Sequence, residues 1–396
     1  MYFDFSSKSS LLLVLVAVLL LFAAFSADAC LRQRDRASGW LTLLLFLAAA
    51  HIAPFMFGYA GWYGKQPYRN ILFYLPLQQL LLIPPVFYAY IEALLYPDRP
   101  RRTMGWLHFV PALLYALFSA WVFLSDIVFE NHPLFYADQR DMDFDPWYQW
   151  MGFLFLLAYT IASIFRYRGY RRHALDQWSY ADEVRYTWIR DILVLLLLLL
   201  SLRVIFFVCN PEWAQFGRKF WYYGAFGMLM AFLGIKGLLR SARWNALTRY
   251  DRSRLAGNPI SPPTTEPELD GVAMNSPQVL ADLPVLMQAL DSHMRTARPY
   301  MEPMLTLNDL AAPLQLAPKK LSQLINQGYG QNFNEFVNQY RVRAVVEKFE
   351  EGEHSLQTLL GIAYDCGFNS KSTFNRAFLR HTGLSPSAYL EKLRKN

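Results

Sequence analysis

The 396-residue chain reads as all-α: a polytopic bundle of seven transmembrane helices followed by a soluble, all-helical domain. Three observations predict this. Long apolar runs dominate the sequence before about residue 240, proline crowds residues 251-278, and amphipathic helical spacing takes over from 279 to 396. Charged residues make up 17% and apolar residues 54% of the whole, a balance tilted away from an ordinary soluble protein. A net charge of +7 suits either nucleic acid or an anionic membrane surface, so the placement of the charges decides. The three cysteines, Cys30, Cys209 and Cys366, are far apart and form neither a disulfide framework nor a zinc site. They read as small buried hydrophobes.

A membrane span needs roughly 20 apolar residues, because a helix rises 1.5 Å per residue and the hydrocarbon layer is about 30 Å thick. Seven stretches qualify: Ser9–Ala27, Trp40–Tyr59, Ile71–Tyr96, Trp106–Ser125, Trp147–Phe165, Ile192–Cys209 and Phe220–Leu239. Tryptophans such as Trp40, Trp62, Trp106, Trp147 and Trp221 stand at or just beyond their ends, where an amphipathic ring prefers the headgroup level. One set of loops carries Arg32, Arg34 and Arg36, then Arg99, Arg101 and Arg102, then Arg166, Arg168, Arg171, Arg172, Arg185 and Arg190. The alternating set carries few basic residues: Lys8, Lys65, Arg69, Arg140, Arg218 and Lys219. Basic excess marks the cytoplasmic side, so the N-terminus is expected outside and the C-terminal domain inside. A cleaved signal peptide at Leu11–Phe25 would leave Arg32, Arg34 and Arg36 outside, against that rule. A retained first helix is the better expectation.

Ionisable groups inside spans are candidates for function. Arg203 in the sixth span and His51 in the second are the candidates for contact with a signal; Glu92 and Lys236 lie near span ends, where a long side chain reaches the headgroups. Pro76, Pro84 and Pro85 beside Gln78 and Gln79 predict a kinked third span whose freed carbonyls need protein or a water-filled pocket around them. Asp141, Asp143 and Asp145 alternate as in a calcium loop, yet Pro146 replaces the required glycine and Gly152 the closing glutamate. A solvated acidic loop is expected there, and neither metal nor cofactor is implied.

Residues 251-278 carry Pro259, Pro262, Pro263, Pro267 and Pro277 without apolar periodicity, the composition of a flexible tether. It is a poor lever for a rigid rotation. Beyond it, Leu283, Leu286, Leu290 and Met294 mark an opening helix, and Thr306 with Asp309 forms a capping box. Pro313 interrupts the short helix that follows. Pro318 opens another, with Leu321, Leu324 and Ile325 inward, ended by Gly328 and Gly330. A long helix from about Asn332 to Glu351 connects to a repeat of the pattern: Leu356, Leu359, Leu360 and Ala363, a turn at Gly367, then a polar helix from Ser370 around Phe374 and Phe378. Paired short helices whose second member bears Lys, Arg, Asn, Gln and Ser suit major-groove reading. A connecting helix of about 20 residues is about 30 Å long, close to one DNA turn.

The stretch Ile362-Ala-Tyr-Asp-Cys-Gly-Phe-Asn-Ser-Lys-Ser-Thr-Phe-Asn-Arg-Ala-Phe378, with Gly383-Leu-Ser-Pro386 and Tyr389, closely resembles the signature of the AraC/XylS family of bacterial transcription regulators. Leu307, Leu310 and Ala311, Leu321-Ser-Gln-Leu-Ile-Asn326, Asn332-Phe333 and Asn338 to Arg341 agree in the first half, and Arg298-Pro-Tyr-Met-Glu-Pro303 is similar to the entry segment of its membrane-fused members. The resemblance implies base reading by Lys319, Ser322 and Gln323 in the first unit and by Lys371, Ser372, Asn375 and Arg376 in the second. It implies double-stranded DNA as partner, a homodimer on DNA, and a bacterial inner-membrane regulator answering an unknown small-molecule or membrane signal. Pro313 inside a usually unbroken helix, and Leu379 and Leu390 at commonly basic positions, depart from the family pattern. The alternative is a transporter or membrane enzyme with a regulatory, protein-docking tail. No HExxH, GxxxxGK[ST] or GxSxG motif speaks for an enzyme.

Overall fold

The computed structural model describes residues 5–33, 35–96, 105–129, 146–181, 187–204, 219–254 and 283–395; they are predominantly helical, with no extended strand among them. The chain divides into two compact units: Met1–Tyr167 with Thr187–Thr265, and Arg168–Tyr186 with Glu266–Asn396.

In the first unit, α1 (Ser7–Gln33) and α2 (Arg36–Tyr59) are joined by Asp35, whose carboxylate caps α2 through the Ala37 amide. Both pack with α8 (Phe220–Arg254). The third apolar stretch differs from the expected single kinked helix. It is two helices, α3 (Tyr68–Tyr74) and α4 (Ile83–Leu95), separated by eight non-helical residues that start next to Pro76. The reason is local: Pro76 removes a donor, while Pro84 and Pro85 fall in the first turn of α4, where a missing amide hydrogen is harmless. The freed backbone is satisfied by protein. The Tyr148 hydroxyl donates to the Gln78 carbonyl at 2.6 Å and accepts from the Leu80 amide at 3.0 Å. The buried Gln78 side chain reaches the His51 carbonyl and the Tyr223 hydroxyl, and accepts from Gln149 at 3.0 Å.

The fourth stretch runs through α5 (Val110–Phe123) and ends in a wider π turn, Leu124–Phe129, where buried Asp126 accepts from the Tyr74 hydroxyl at 3.0 Å. Next come α6 (Pro146–Gln177) and α7 (Thr187–Val204). Among the described residues, five helices are long and apolar enough to cross a membrane, and the 13-residue α4 is a shorter apolar helix. Large apolar side chains also stand on the outside of this unit, including Leu13, Leu21, Phe46, Leu117, Leu154 and Leu198. The expected acidic loop at Asp141, Asp143 and Asp145 lies outside the described residues, as does most of the 251-278 tether.

The second unit carries α9 (Leu283–Thr296), α10 (Leu307–Ala311), α11 (Pro318–Tyr329), α12 (Phe333–Glu350), α13 (Leu359–Asp365), α14 (Lys371–Thr382) and α15 (Pro386–Lys395). Its core joins Leu290 and Met294 of α9 to Leu310, Leu324, Phe336, Val345, Ile362, Phe374 and Phe378. The α12 helix is its axis, because both flanking pairs of short helices pack on it. Two sequence expectations shift here. Gly328 lies within α11 instead of ending it; a Cβ there would come 2.7 Å from Met287 Sδ, so the glycine lets α9 approach. Leu356 stands before the N-cap of α13 and is 90% exposed.

Candidate nucleic-acid interface

Each pair of short helices is shaped by local chemistry. In the first, the Thr306 hydroxyl accepts from the Asp309 amide at 3.2 Å, and the Asp309 carboxylate accepts from the Thr306 amide at 2.9 Å. This reciprocal box starts α10. The helix stops at Ala311, two residues before Pro313, and the turn passes through Gln315 at a φ of 55°. Pro318 then opens α11 and Gly330, at φ 64°, closes it. In the second pair, Thr358 caps α13 and Ser370 caps α14, the latter through the Thr373 amide at 3.3 Å. Gly383 ends α14 at φ 76°.

Amphipathicity fixes which faces remain open. On α11, Leu321, Leu324 and Ile325 are buried; Lys319 is exposed, and Ser322 and Gln323 are half-buried. On α14, Thr373, Phe374, Ala377 and Phe378 are buried, whereas Lys371, Ser372, Asn375 and Arg376 are exposed. The two helices therefore each offer a polar face with the residue types that hydrogen-bond base edges and phosphates. An Arg380–Glu335 ion pair and Phe349–Phe378 packing fasten α14 to α12. Leu390, at a commonly basic position, is buried in the core, while Leu379 is half exposed.

Burial shifts two groups of this unit in particular. Burial pushes the Cys366 thiol up to about 12, so it stays protonated and inert near neutrality. Burial, with Arg380 and Arg343 nearby, lowers the His381 imidazole, favouring its neutral form at the C-terminal end of α14.

The two candidates in the first unit are placed differently. His51 is buried in α2, with its ring 5.0 Å from Phe226 and 5.3 Å from Tyr223. Arg203 falls in α7, and its side chain lies outside the described residues.

A polar stripe on α12 was not among the groups expected from the sequence to have a role. Asn334, Asn338 and Arg341 recur at helical spacing and are all buried. Arg341 is 1% exposed. Its Nε donates to the Tyr300 carbonyl at 2.7 Å, and its Nη2 donates to the Glu302 carbonyl at 2.8 Å and to Ser179 Oγ at 3.1 Å. Gly367, at φ 90°, fits against this hub; a Cβ there would lie 2.4 Å from the Tyr300 oxygen. The spacing i, i+4, i+7 of polar residues on an otherwise core-facing helix was the available signal.

The second unit thus has the architecture of two helix-turn-helix units on one connecting helix. Residues 310–392 match the sequence family described as "Helix-turn-helix domain". Among known proteins, the chain is similar to HTH-type transcriptional regulator Rv1931c of Mycobacterium tuberculosis, 28% identical over 83 residues, which are 21% of this chain and 31% of that protein. It is also similar to Regulatory protein PocR of Salmonella typhimurium, 30% identical over 110 residues, 27% of this chain and 35% of that one. The chain spans about a third of the length of these curated relatives. A solved structure of a Listeria innocua protein of unknown function is 27% identical, covering 26% of this chain and 94% of that one, with a TM-score of 0.23.

Proposed function

We propose that the chain is a membrane-anchored, one-component transcription regulator. Residues 1-250 form a transmembrane sensor, 251-278 a tether, and 279-396 a cytoplasmic reader of double-stranded DNA. The observation that carries this reading is the pair α11 and α14, each turning a polar face outward from the core built on α12, inside the segment that matches a helix-turn-helix family. Arg376 and Lys371 suit guanine O6 and N7, and Asn375 suits adenine; Lys319, Ser322 and Gln323 play the corresponding part in the first unit. The resemblance to AraC/XylS regulators and the names of the relatives support the same reading.

Membrane anchoring is supported by five apolar helices of spanning length with apolar side chains on their open faces. The proposed alternation of span ends is supported by end-to-end pairing. Asp35 meets Arg240 at 3.3 Å, and Glu92 pairs with Arg166, so groups assigned to the arginine-rich side lie together. On this reading Arg203 and His51 are the groups through which a small-molecule or membrane signal is felt. Tethering two reading domains in a dimer of the chain raises their effective local concentration to roughly millimolar, which favours joint binding on DNA.

The test uses the full chain in lipid nanodiscs and duplexes selected from a random pool. Arg376→Ala and Lys371→Ala are each expected to weaken binding by about 1–3 kcal/mol and to relax preference at one base pair. A uniform loss with a salt slope smaller by about one assigns that residue to phosphate instead. Unchanged binding by both variants overturns the assignment.

A further inference from the structure

The tether is not the only chain segment that joins the two ends of the sequence. Helix α6 is continuous from Pro146 to Gln177, and from Arg168 onward it groups with the C-terminal unit. Immediately after it, residues 178–181 lie along the edge of the first helix-turn-helix. Trp178 and Thr306 form an isolated antiparallel bridge, and the Ser179 amide donates to the Leu305 carbonyl at 3.1 Å. The Asn334 side-chain carboxamide donates to the Ser179 carbonyl at 2.6 Å, and the Ser179 hydroxyl accepts from Arg341. Ser179 and Ala181 are fully buried. The short segment is also fixed to its own helix: the Trp178 amide continues the hydrogen bonding of α6, and its ring packs near Tyr170 and His173.

We propose that residues 178–181 are a strap through which movement of α6 controls the order of the first helix-turn-helix unit, independently of the proline-rich tether. The physical case rests on what the strap satisfies. A buried guanidinium, a buried carboxamide and an edge backbone carbonyl all need partners, and leaving such groups unpaired is strongly unfavourable. The strap supplies three of those partners from two adjacent groups of Ser179 and its hydroxyl. The segment it braces, Tyr300–Leu305, runs directly into Thr306, whose capping box starts α10. Undocking the strap leaves Arg341 and Asn334 to recruit water and frees the entry to α10. The helix–turn–α11 arrangement must then be ordered at the moment of DNA binding. A stiff helix ending in a docked strap transmits displacement, which a flexible tether of the kind the proline-rich sequence suggests would not. The strap also requires that the segment after α6 and the C-terminal unit share one side of a bilayer, in agreement with the arginine distribution.

The inference rests on the DNA-reading assignment only for its second readout. Full-length Ser179→Trp in nanodiscs is too bulky for the slot, and Ser179→Ala removes only the Arg341 partner. Hydrogen exchange is expected to rise in residues 300–310 and through α11 in Ser179→Trp, and to a smaller degree in Ser179→Ala. Affinity for the duplex selected by the parent is expected to fall by between about 5- and 150-fold in Ser179→Trp. Lengthening the 255–282 segment with Gly/Ser is expected to leave both readouts as in the parent. A rise in exchange confined to residues 178–181, or affinity within two-fold of the parent with the strap displaced, overturns the inference. If the parent selects no duplex, the DNA-reading assignment fails, and exchange in α11 alone decides the role of the strap.

Discussion

Arg341 and Gly367 show how a single side chain, or its absence, holds the second unit together. The guanidinium gathers the carbonyls of Tyr300 and Glu302 and the hydroxyl of Ser179, and Gly367 presses its α-carbon side against the same carbonyl. Gly367 is held at φ 90°, where an L side chain is strained, and the obstacle is backbone, which cannot swing aside. Gly367→Ala is therefore expected to destabilise this unit by about 2–5 kcal/mol, combining backbone strain with overpacking. The check is the loss of amide protection in α12 and α13 of the full chain at rising temperature. Protection equal to the parent would show that the turn between α13 and α14 relaxes freely. Gly367 was legible in the sequence as a turn, because glycine after a short amphipathic run has a local meaning. Arg341 was not: its role depends on carbonyls some forty residues earlier and on a hydroxyl more distant still.

At the scale of elements, what the sequence disclosed follows from how local each signal is. The cap at Thr306 and the helix starts at Asn332 and Ser370 were readable because a side-chain oxygen three residues before a helical amide needs no tertiary information. Thr306→Ala is expected to cost about 1 kcal/mol and to raise exchange at the start of α10, leaving α14 unchanged. An equal rise in both helices would contradict the division into two helix-turn-helix units. The inner faces of α11 and α14 were legible from periodicity alone, since Leu321, Leu324, Phe374 and Phe378 are buried as their spacing requires. The third apolar stretch was legible only in part. Three prolines announced a disturbance, but whether a helix kinks or breaks depends on who satisfies the freed carbonyls. Here Tyr148, 70 residues away, supplies that partner and allows a full break. Leu356 misled because apolar spacing says nothing about where a cap will fall; Thr358 claims the N-cap, and Leu356 is left outside.

For the whole molecule, the division into an apolar and a soluble half is visible in composition, whereas the membership of Arg168–Tyr186 in the C-terminal unit is not. That segment reads as an arginine-rich loop, and its contacts with Leu305, Asn334 and Arg341 are long-range. On the proposed strap reading, movement of α6 gives a signal from the apolar helices a helical route to the first helix-turn-helix. All of it depends on the C-terminal unit meeting the chromosome while the chain remains in the membrane. Genome-wide footprinting of the full chain, crosslinked in living cells and recovered from the membrane fraction, tests this most directly. Discrete protected sites that vanish in an Arg376→Ala, Lys371→Ala double variant of equal abundance are the expected result. A parent chain that enriches no sites, or enriches the same ones as the double variant, would contradict it.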